Sequence, residues 1–227
     1  TNTIQFNNLS EGKHIVRVHL SNSLHNPPGN PEADITFSFN VNTGNVSAPI
    51  VPTVLNCGSI ITQDSVLAQD VVGCNINAID IGADNIVLDC NGHTISSNNG
   101  YYGVYNTRFD NITVKNCIIK GFNFGVTPLG LNSAGIFFYN GSDNGLIENN
   151  TVENNTMGIY LGVNSNSNTI RNNIANNNDV NGIYLFNRTM FNLVENNIAN
   201  GNLLNGIYLD LESSNNSVIM NTANNNS

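Results

Sequence analysis

The sequence has no tryptophan and only seven lysines and arginines in 227 residues, and charged side chains make up 10% of it. Those few cations are scattered from Lys13 to Arg188. With no basic patch and a net charge of −9, the chain lacks the electrostatic footprint of a nucleic-acid binder. No apolar run approaches the roughly 18 residues that a membrane-spanning helix needs. No charged segment followed by an apolar one opens the chain, so the signal peptide of an exported protein is expected to have gone already. No window carries a capped 3.6-residue apolar period, which argues against helices. Cysteine is scarce as well. The four have no Cys-x-x-Cys spacing and no clustered histidines beside them, so neither a zinc site nor any other cofactor is expected.

What is abundant is asparagine, crowded into runs such as Asn176–Asn178 and Asn224–Asn226. Asparagine-rich tracts can mean disorder or aggregation-prone low complexity. Against that, 40% of the residues are hydrophobic, enough apolar surface to offset chain entropy. Periodicity separates the two readings, and the asparagines are periodic.

Gly158-Ile159-Tyr160-Leu161 recurs as Gly182-Ile183-Tyr184-Leu185 and as Gly206-Ile207-Tyr208-Leu209, in steps of 24 residues. Gly135-Ile136-Phe137-Phe138 lies 23 residues upstream, and weaker versions start at Gly103 and Gly125, 22 apart. A second element keeps the same beat in Glu148-Asn149-Asn150-Thr151, Arg171-Asn172-Asn173-Ile174 and Glu195-Asn196-Asn197-Ile198, with Lys115-Asn116-Cys117 before and Met220-Asn221-Thr222 after. Asn116 and Asn150 are 34 apart, so one coil carries an insertion of about ten residues, placed within Thr127–Ala134.

Each repeat alternates apolar and polar residues over four or five positions between turn formers, the signature of short strands. The predicted fold is all-β: a right-handed, single-stranded parallel β-helix with three short strands per coil of about 22–24 residues, over 54–227. In Gly-Ile-Tyr-Leu the Ile and Leu point inward and the Tyr outward. One coil cannot bury its own apolar face, so neighbours stack at about 4.8 Å, and six or seven coils make a rod on the order of 30 Å long. Asparagine suits the left-handed turns, and Asn116, Asn150, Asn173, Asn197 and Asn221 are expected to stack as an amide ladder. Gly158, Gly182 and Gly206 mark the opposite corner, where φ is positive or space is short.

Asp84-Asn85-Ile86-Val87-Leu88-Asp89-Cys90-Asn91-Gly92-His93-Thr94-Ile95 and Asn111-Ile112-Thr113-Val114-Lys115-Asn116-Cys117, followed by the Gly-Ile-Tyr-Leu coils, resemble NosD-like parallel β-helix repeat proteins. The resemblance covers roughly Thr53 to Ser227 and implies a surface or S-layer-associated protein of the archaeal type. It is specific for fold; the superfamily spans polysaccharide lyases, hydrolases, epimerases, copper-site maturation factors and non-enzymatic surface proteins. Residues 1–45 differ. The turn and strand of Leu9–Val18 and the alternating strand Ala33–Val41 resemble the closing strands of an Ig-like or PKD-type module, with room for three of the seven strands such a sandwich needs. Either the chain is cut from a longer one or another subunit supplies the rest. Residues 46–53, with Pro49 and Pro52, read as a linker.

An even cysteine count in an exported chain points to two disulfides. Cys57–Cys74 across the first coil is favoured, Cys90–Cys117 between adjacent coils is the second candidate, and four buried thiols are the alternative. Copper handling needs clustered soft ligands, whereas Met157, Met190, Met220 and the four histidines are dispersed. Polysaccharide-acting enzymes need convergent carboxylates. The charged column here reads Glu148, Arg171, Glu195, Ile219, alternating in sign, with Arg188 and Glu212 likewise cancelling. No position gathers two carboxylates on adjacent coils, so no catalytic residue is assigned. Phe137, Tyr160, Tyr184 and Tyr208 form the best candidate surface for glycan or protein contact, against the simpler reading that the rings stack on one another. Nine Asn-x-Ser/Thr sequons occur, about as many as so much asparagine yields by chance; Asn111, Asn140, Asn187 and Asn215, at coil turns, are the candidate glycosylation sites.

Residues 219–227 read as the start of a further coil without a capping sequence. An uncovered coil is an aggregation hazard, so the β-helix is expected to continue head-to-tail into more of a larger polypeptide or into another copy. The expected role is structural: an extracellular filament, adhesive appendage or surface-layer component. A carbohydrate-binding or polysaccharide-degrading surface protein is the alternative.

Overall fold

In the computed structural model the described residues are 12–20, 33–41, 51–124 and 133–227, and the chain divides into two compact units, Thr1–Pro49 and Ile50–Ser227. In the first unit, Gly12–Leu20 and Ala33–Val41 pair antiparallel, from Gly12 opposite Val41 to Leu20 opposite Ala33.

The second unit is a right-handed parallel β-helix of about six turns, with three strands per coil and no helix among the described residues. A long sheet stacks Ser59–Ile61, Ile79–Ile81, Tyr102–Thr107, Ala134–Tyr139, Met157–Gly162, Asn181–Phe186 and Asn205–Asp210. A second sheet stacks Ser65–Val66, Val87–Asp89, Thr113–Lys115, Leu146–Glu148, Thr169–Arg171, Leu193–Glu195 and Ser217–Ile219. A third holds Val71–Cys74, Thr94–Ser97, Ile118–Lys120 and Thr151–Glu153, then continues as single bridges through Ile174, Ile198 and Thr222. Thr53 already bridges Leu67, so the β-helix begins just before residue 54.

The repeat fixes the interior. Ile159, Ile183 and Ile207 are vertical neighbours, as are Leu161, Leu185 and Leu209. From the second sheet, Val114, Ile147, Ile170 and Val194 are fully buried, and Ile119 and Val152 join them from the third. The Gly column is a matter of space: a Cβ on Gly158 would collide with the Gly182 carbonyl and crowd the Asn178 amide, and none of Gly158, Gly182 and Gly206 has positive φ.

The turns divide between two residues the work expected of one. At three corners a residue in the left-handed region precedes a buried asparagine. The left-handed members include Asn149 (φ 55°), Asn172 (55°) and Asn196 (53°) at one corner and Asn154 (54°) and Asn177 (54°) at another. The buried members form amide ladders. Asn150, Asn173 and Asn197 each donate from Nδ2 to the Oδ1 of the next coil at 3.0 Å, ending on Asn221. Asn155, Asn178, Asn202 and Asn226 repeat this at the second corner. At the third, Asn192 Nδ2 donates to Asn216 Oδ1 and Asn168 N–H to Asn192 Oδ1. Each rung also takes the next-higher asparagine's Oδ1 on its own N–H, as in Asn150 N–H to Asn173 Oδ1. In all three ladders a buried amide gains partners at every level, which removes the cost of burying it.

Two expectations shift by register. Asn116 (φ 56°) belongs to the left-handed column, not the ladder; Cys117 holds the ladder position, its N–H donating to Asn150 Oδ1. Gly103 lies under Gly135, because Tyr102 pairs with Ala134, and the repeat start expected at Gly125 falls outside the described residues. The inserted residues follow Phe122, whose N–H donates to Asn155 Oδ1, and end by Ser133, whose Oγ donates to Thr156. Ala134 is therefore strand rather than insertion, and 127–132 lie outside the described residues.

Candidate functional site

The aromatic column is real, but it is not an open platform. Tyr105, Phe137, Tyr160, Tyr184 and Tyr208 stand in register on the outer face of the long sheet. Phe137 is 6% exposed, Tyr160 2% and Tyr184 6%, whereas Tyr105 is half-buried and Tyr208, at 38%, is exposed. Phe137, Tyr160 and Tyr184 form a second apolar cluster with Ala134 and Met157, separate from the lumen core and flanked by Tyr102, Tyr105, Tyr139 and Phe186. Phe137 stacks on Tyr160 at 4.8 Å and Tyr184 on Tyr208 at 5.2 Å, while Tyr160 meets Tyr184 edge-on. Gly162 makes room for this, since a Cβ there would collide with the Tyr160 ring. The rings are consumed by each other, as alternation along a strand cannot reveal.

Burial sets the chemistry of these phenols. It pushes the Tyr102 hydroxyl up to about 12. Burial also raises Tyr160, and raises Tyr184 together with the Asp210 carboxylate, which accepts the Tyr184 hydroxyl at 3.2 Å. None of these phenols ionises near neutral pH, so the cluster behaves as apolar support.

The charge column runs in register as Asp89, Lys115, Glu148, Arg171, Glu195 and Ile219, two members longer than its sequence outline. Lys115 lies 3.5 Å from Asp89 and Arg171 2.8 Å from Glu148, and Arg188 pairs with Glu212 at 2.7 Å. Burial would raise the Asp89 carboxyl, but hydrogen bonds from Asn116 and from Asn91 N–H, with Lys115, hold it below its usual value. Asp70 is likewise held down, by Thr94 N–H first and then His93, whose Nδ1 lies 2.9 Å from Asp70 Oδ1.

One expectation is overturned. Carboxylates do gather on adjacent coils: Asp84, Asp110 and Asp143 occupy one column at the turn into the second sheet. Asp110 N–H donates to Asp84 Oδ1, Asp143 N–H to Asp110 Oδ1, and Asn166 N–H to Asp143 Oδ1. Asp64 accepts Val87 N–H in the same manner. Coils of unequal length hid the column, because 26 residues separate the first pair and 33 the second. The hint in the sequence was Asp-Asn, repeated as Asp84-Asn85, Asp110-Asn111 and Asp143-Asn144. Among the described residues no three or more His, Cys, Asp or Glu side chains come together to hold a metal ion.

All four cysteines are paired, Cys57 with Cys74 and Cys90 with Cys117. The four candidate glycosylation sites, Asn111, Asn140, Asn187 and Asn215, all sit at positive φ on turns. Asn111 Nδ2 is engaged by Asn85 Oδ1, and in the amide orientation that satisfies both groups the Asn140 oxygen accepts from Arg108 Nε. Asn187 is half-buried and Asn215 exposed.

A family model described as a right-handed beta helix region matches residues 57–223, almost the whole of the second unit. The chain belongs to the right-handed β-helix family. No curated protein and no solved structure matches it. This family includes both enzymes and non-enzymes.

Proposed function

We propose that the chain is a structural component of an extracellular assembly, such as a surface filament, an adhesive appendage or an S-layer-type protein. The observation that carries the proposal is how the outer faces are used. Three of the four rings that would serve as a sugar platform, Phe137, Tyr160 and Tyr184, are buried in their own cluster, and most charges in the column are matched by the coil above or below. Regularity adds a second argument. Successive coils place the same residues at the same three corners, so the top of one coil is a template for the bottom of the next. Such a rod extends head-to-tail, by further coils of a longer polypeptide or by another copy.

Two disulfides fit an oxidising compartment, and no helix among the described residues is long and apolar enough to cross a membrane. The NosD-like segments, and a hairpin resembling the end of an Ig-like or PKD-type module, favour a surface protein of the archaeal type. Glycans, if attached, decorate turns, with Asn187 and Asn215 the freest of the four candidates.

Native mass decides between assembly and solitary function. Particles or filaments built from 24.5 kDa subunits, or a much heavier polypeptide containing this sequence, are expected. A solitary 24.5 kDa species that cleaves polysaccharide would overturn the proposal. That second reading is favoured by the Asp84, Asp110, Asp143 column, whose members stand about one strand spacing, roughly 5 Å, apart. It predicts depolymerising activity that Asp110→Asn abolishes.

A further inference from the structure

The two disulfides differ in what can reach them. Cys90 and Cys117 are 0% and 1% exposed, within the lumen core. Cys74 is also fully buried, but Cys57 is only half-buried and lines a cleft of about 390 Å³ with Asn56, Gln69, Asp70 and Val72. Thiol–disulfide exchange requires a thiolate to approach a sulfur along the S–S axis, so access selects which bond reacts. The surroundings are also locally irregular. Cys74 ends a strand whose pairing with Thr94–Ser97 shifts register between Val71 and Cys74, with Gly73 at φ +74°.

We propose that Cys57–Cys74 is a reducible disulfide, opened in the folded chain by a small uncharged or cationic dithiol that enters this cleft. The reagent's thiolate attacks Cys57 Sγ, and the S–S bond breaks. Cys74 leaves with the electron pair and takes up a proton from solvent. The second thiol of the reagent then displaces Cys57, giving one oxidised dithiol and two protein thiols. Asp70, an anion on the cleft wall, disfavours anionic thiols. Hydrogen bonds from Thr94 N–H and His93 keep its carboxyl ionised. The consequence is local: the bridge ties Cys57, just before Ser59–Ile61, to Cys74, so opening it frees the first coil while later coils keep their own pairing.

The test is timed reduction of the native protein by dithiothreitol, with alkylation and peptide mass analysis. Cys57 and Cys74 should be alkylated at least about tenfold faster than Cys90 and Cys117, with faster hydrogen exchange confined to roughly residues 53–76. Relative to an unfolded disulfide peptide, 2-aminoethanethiol should outpace 3-mercaptopropionate by about threefold or more, a preference that Asp70→Asn erases. Equal rates for the two disulfides would overturn the proposal. So would loss of protection beyond residue 79 on reduction, because the opening would then be global. A charge preference that survives Asp70→Asn would overturn the assigned reagent class. A Cys57→Ser/Cys74→Ser double variant should reproduce the exchange pattern of the reduced protein, and protection throughout its first coil would count equally against it.

Discussion

The first coils and the last coils solve the same stacking problem by different means. From Ser59 to Ile79, Val104 and Ile136 the register steps are 20, 25 and 32 residues; from Ile136 to Ile159, Ile183 and Ile207 they settle at 23, 24 and 24. The three asparagine ladders lie in the regular part, and both disulfides lie before it. An amide ladder needs equivalent atoms one strand spacing apart at every level, so coils can differ in length between its corners but not at them. A disulfide ties two points and is indifferent to what the chain does between them. Cys117 is the junction, bonded below to Cys90 and donating above to Asn150. The sole buried side-chain atom without a partner among the described residues, Asn106 Oδ1, falls on the irregular side.

The comparison breaks hardest at a ladder rung. Asn173→Leu keeps the volume but leaves Asn150 N–H without its acceptor and takes one partner each from Asn150 Nδ2, the Ile147 carbonyl and Asn197 Oδ1. About 2 kcal/mol for the orphaned group and somewhat under about 1 kcal/mol for each of the three lost bonds predict a loss of about 4 kcal/mol. Asn172→Ala, one residue away on the exposed left-handed position, should lose only about 1 kcal/mol. Urea unfolding midpoints separate the two roles, and equal losses would mean that the ladder is not what holds these coils.

On the irregular side, Cys90→Ala/Cys117→Ala is expected to lose about 3 kcal/mol for its 27-residue separation. Cys90→Ala/Cys117→Asn sharpens the point. An asparagine at 117 can donate to Asn150 Oδ1 and extend the ladder one coil downward, so about 1 kcal/mol should return. Calorimetry of the two double variants checks it, and identical midpoints would show that irregular coils cannot accept a rung.

How far these features were legible follows from the same contrast. The fold, the interior isoleucines and one ladder could be read from the Gly-Ile-Tyr-Leu and Asn-Asn elements, because their spacing is constant. The other two ladders are just as regular, yet Asn155 and Asn178 sit in runs of asparagine where the rung is hard to tell from the turn. The Asp84, Asp110, Asp143 column was missed because unequal coils destroy the period on which the comparison depends. Burial of Tyr160 and Tyr184 was hidden for another reason. Alternation says which face of a strand a ring is on, but only the neighbouring columns say whether that face is covered.

The regular half still contains flaws, and one should be improvable. Phe191 occupies the left-handed column at φ 58°, where the corresponding residues on other coils include Asn111, Asn144 and Asn215, and it is 62% exposed. A left-handed conformation costs a bulky L-residue about 1 kcal/mol or more, which asparagine largely avoids. Phe191→Asn removes little packing, so it should stabilise the chain by about 1 kcal/mol. A midpoint unchanged or lowered in thermal unfolding would mean that left-handed strain at this turn is offset by contacts of the ring.

The smallest effect is expected from the feature that the two halves share. The alternating charge column crosses from Asp89–Lys115 on the irregular side to Glu148–Arg171 on the regular side without interruption. Arg171 is 41% exposed and Glu148 17%, so solvent screens much of their attraction. Removing the guanidinium leaves a carboxylate that water can still reach. Arg171→Ala should therefore cost only about 0.5 kcal/mol, and less in high salt. A larger loss would move part of the rod's cohesion from its interior to its surface, and with it the claim that ladders and disulfides divide that work between the halves.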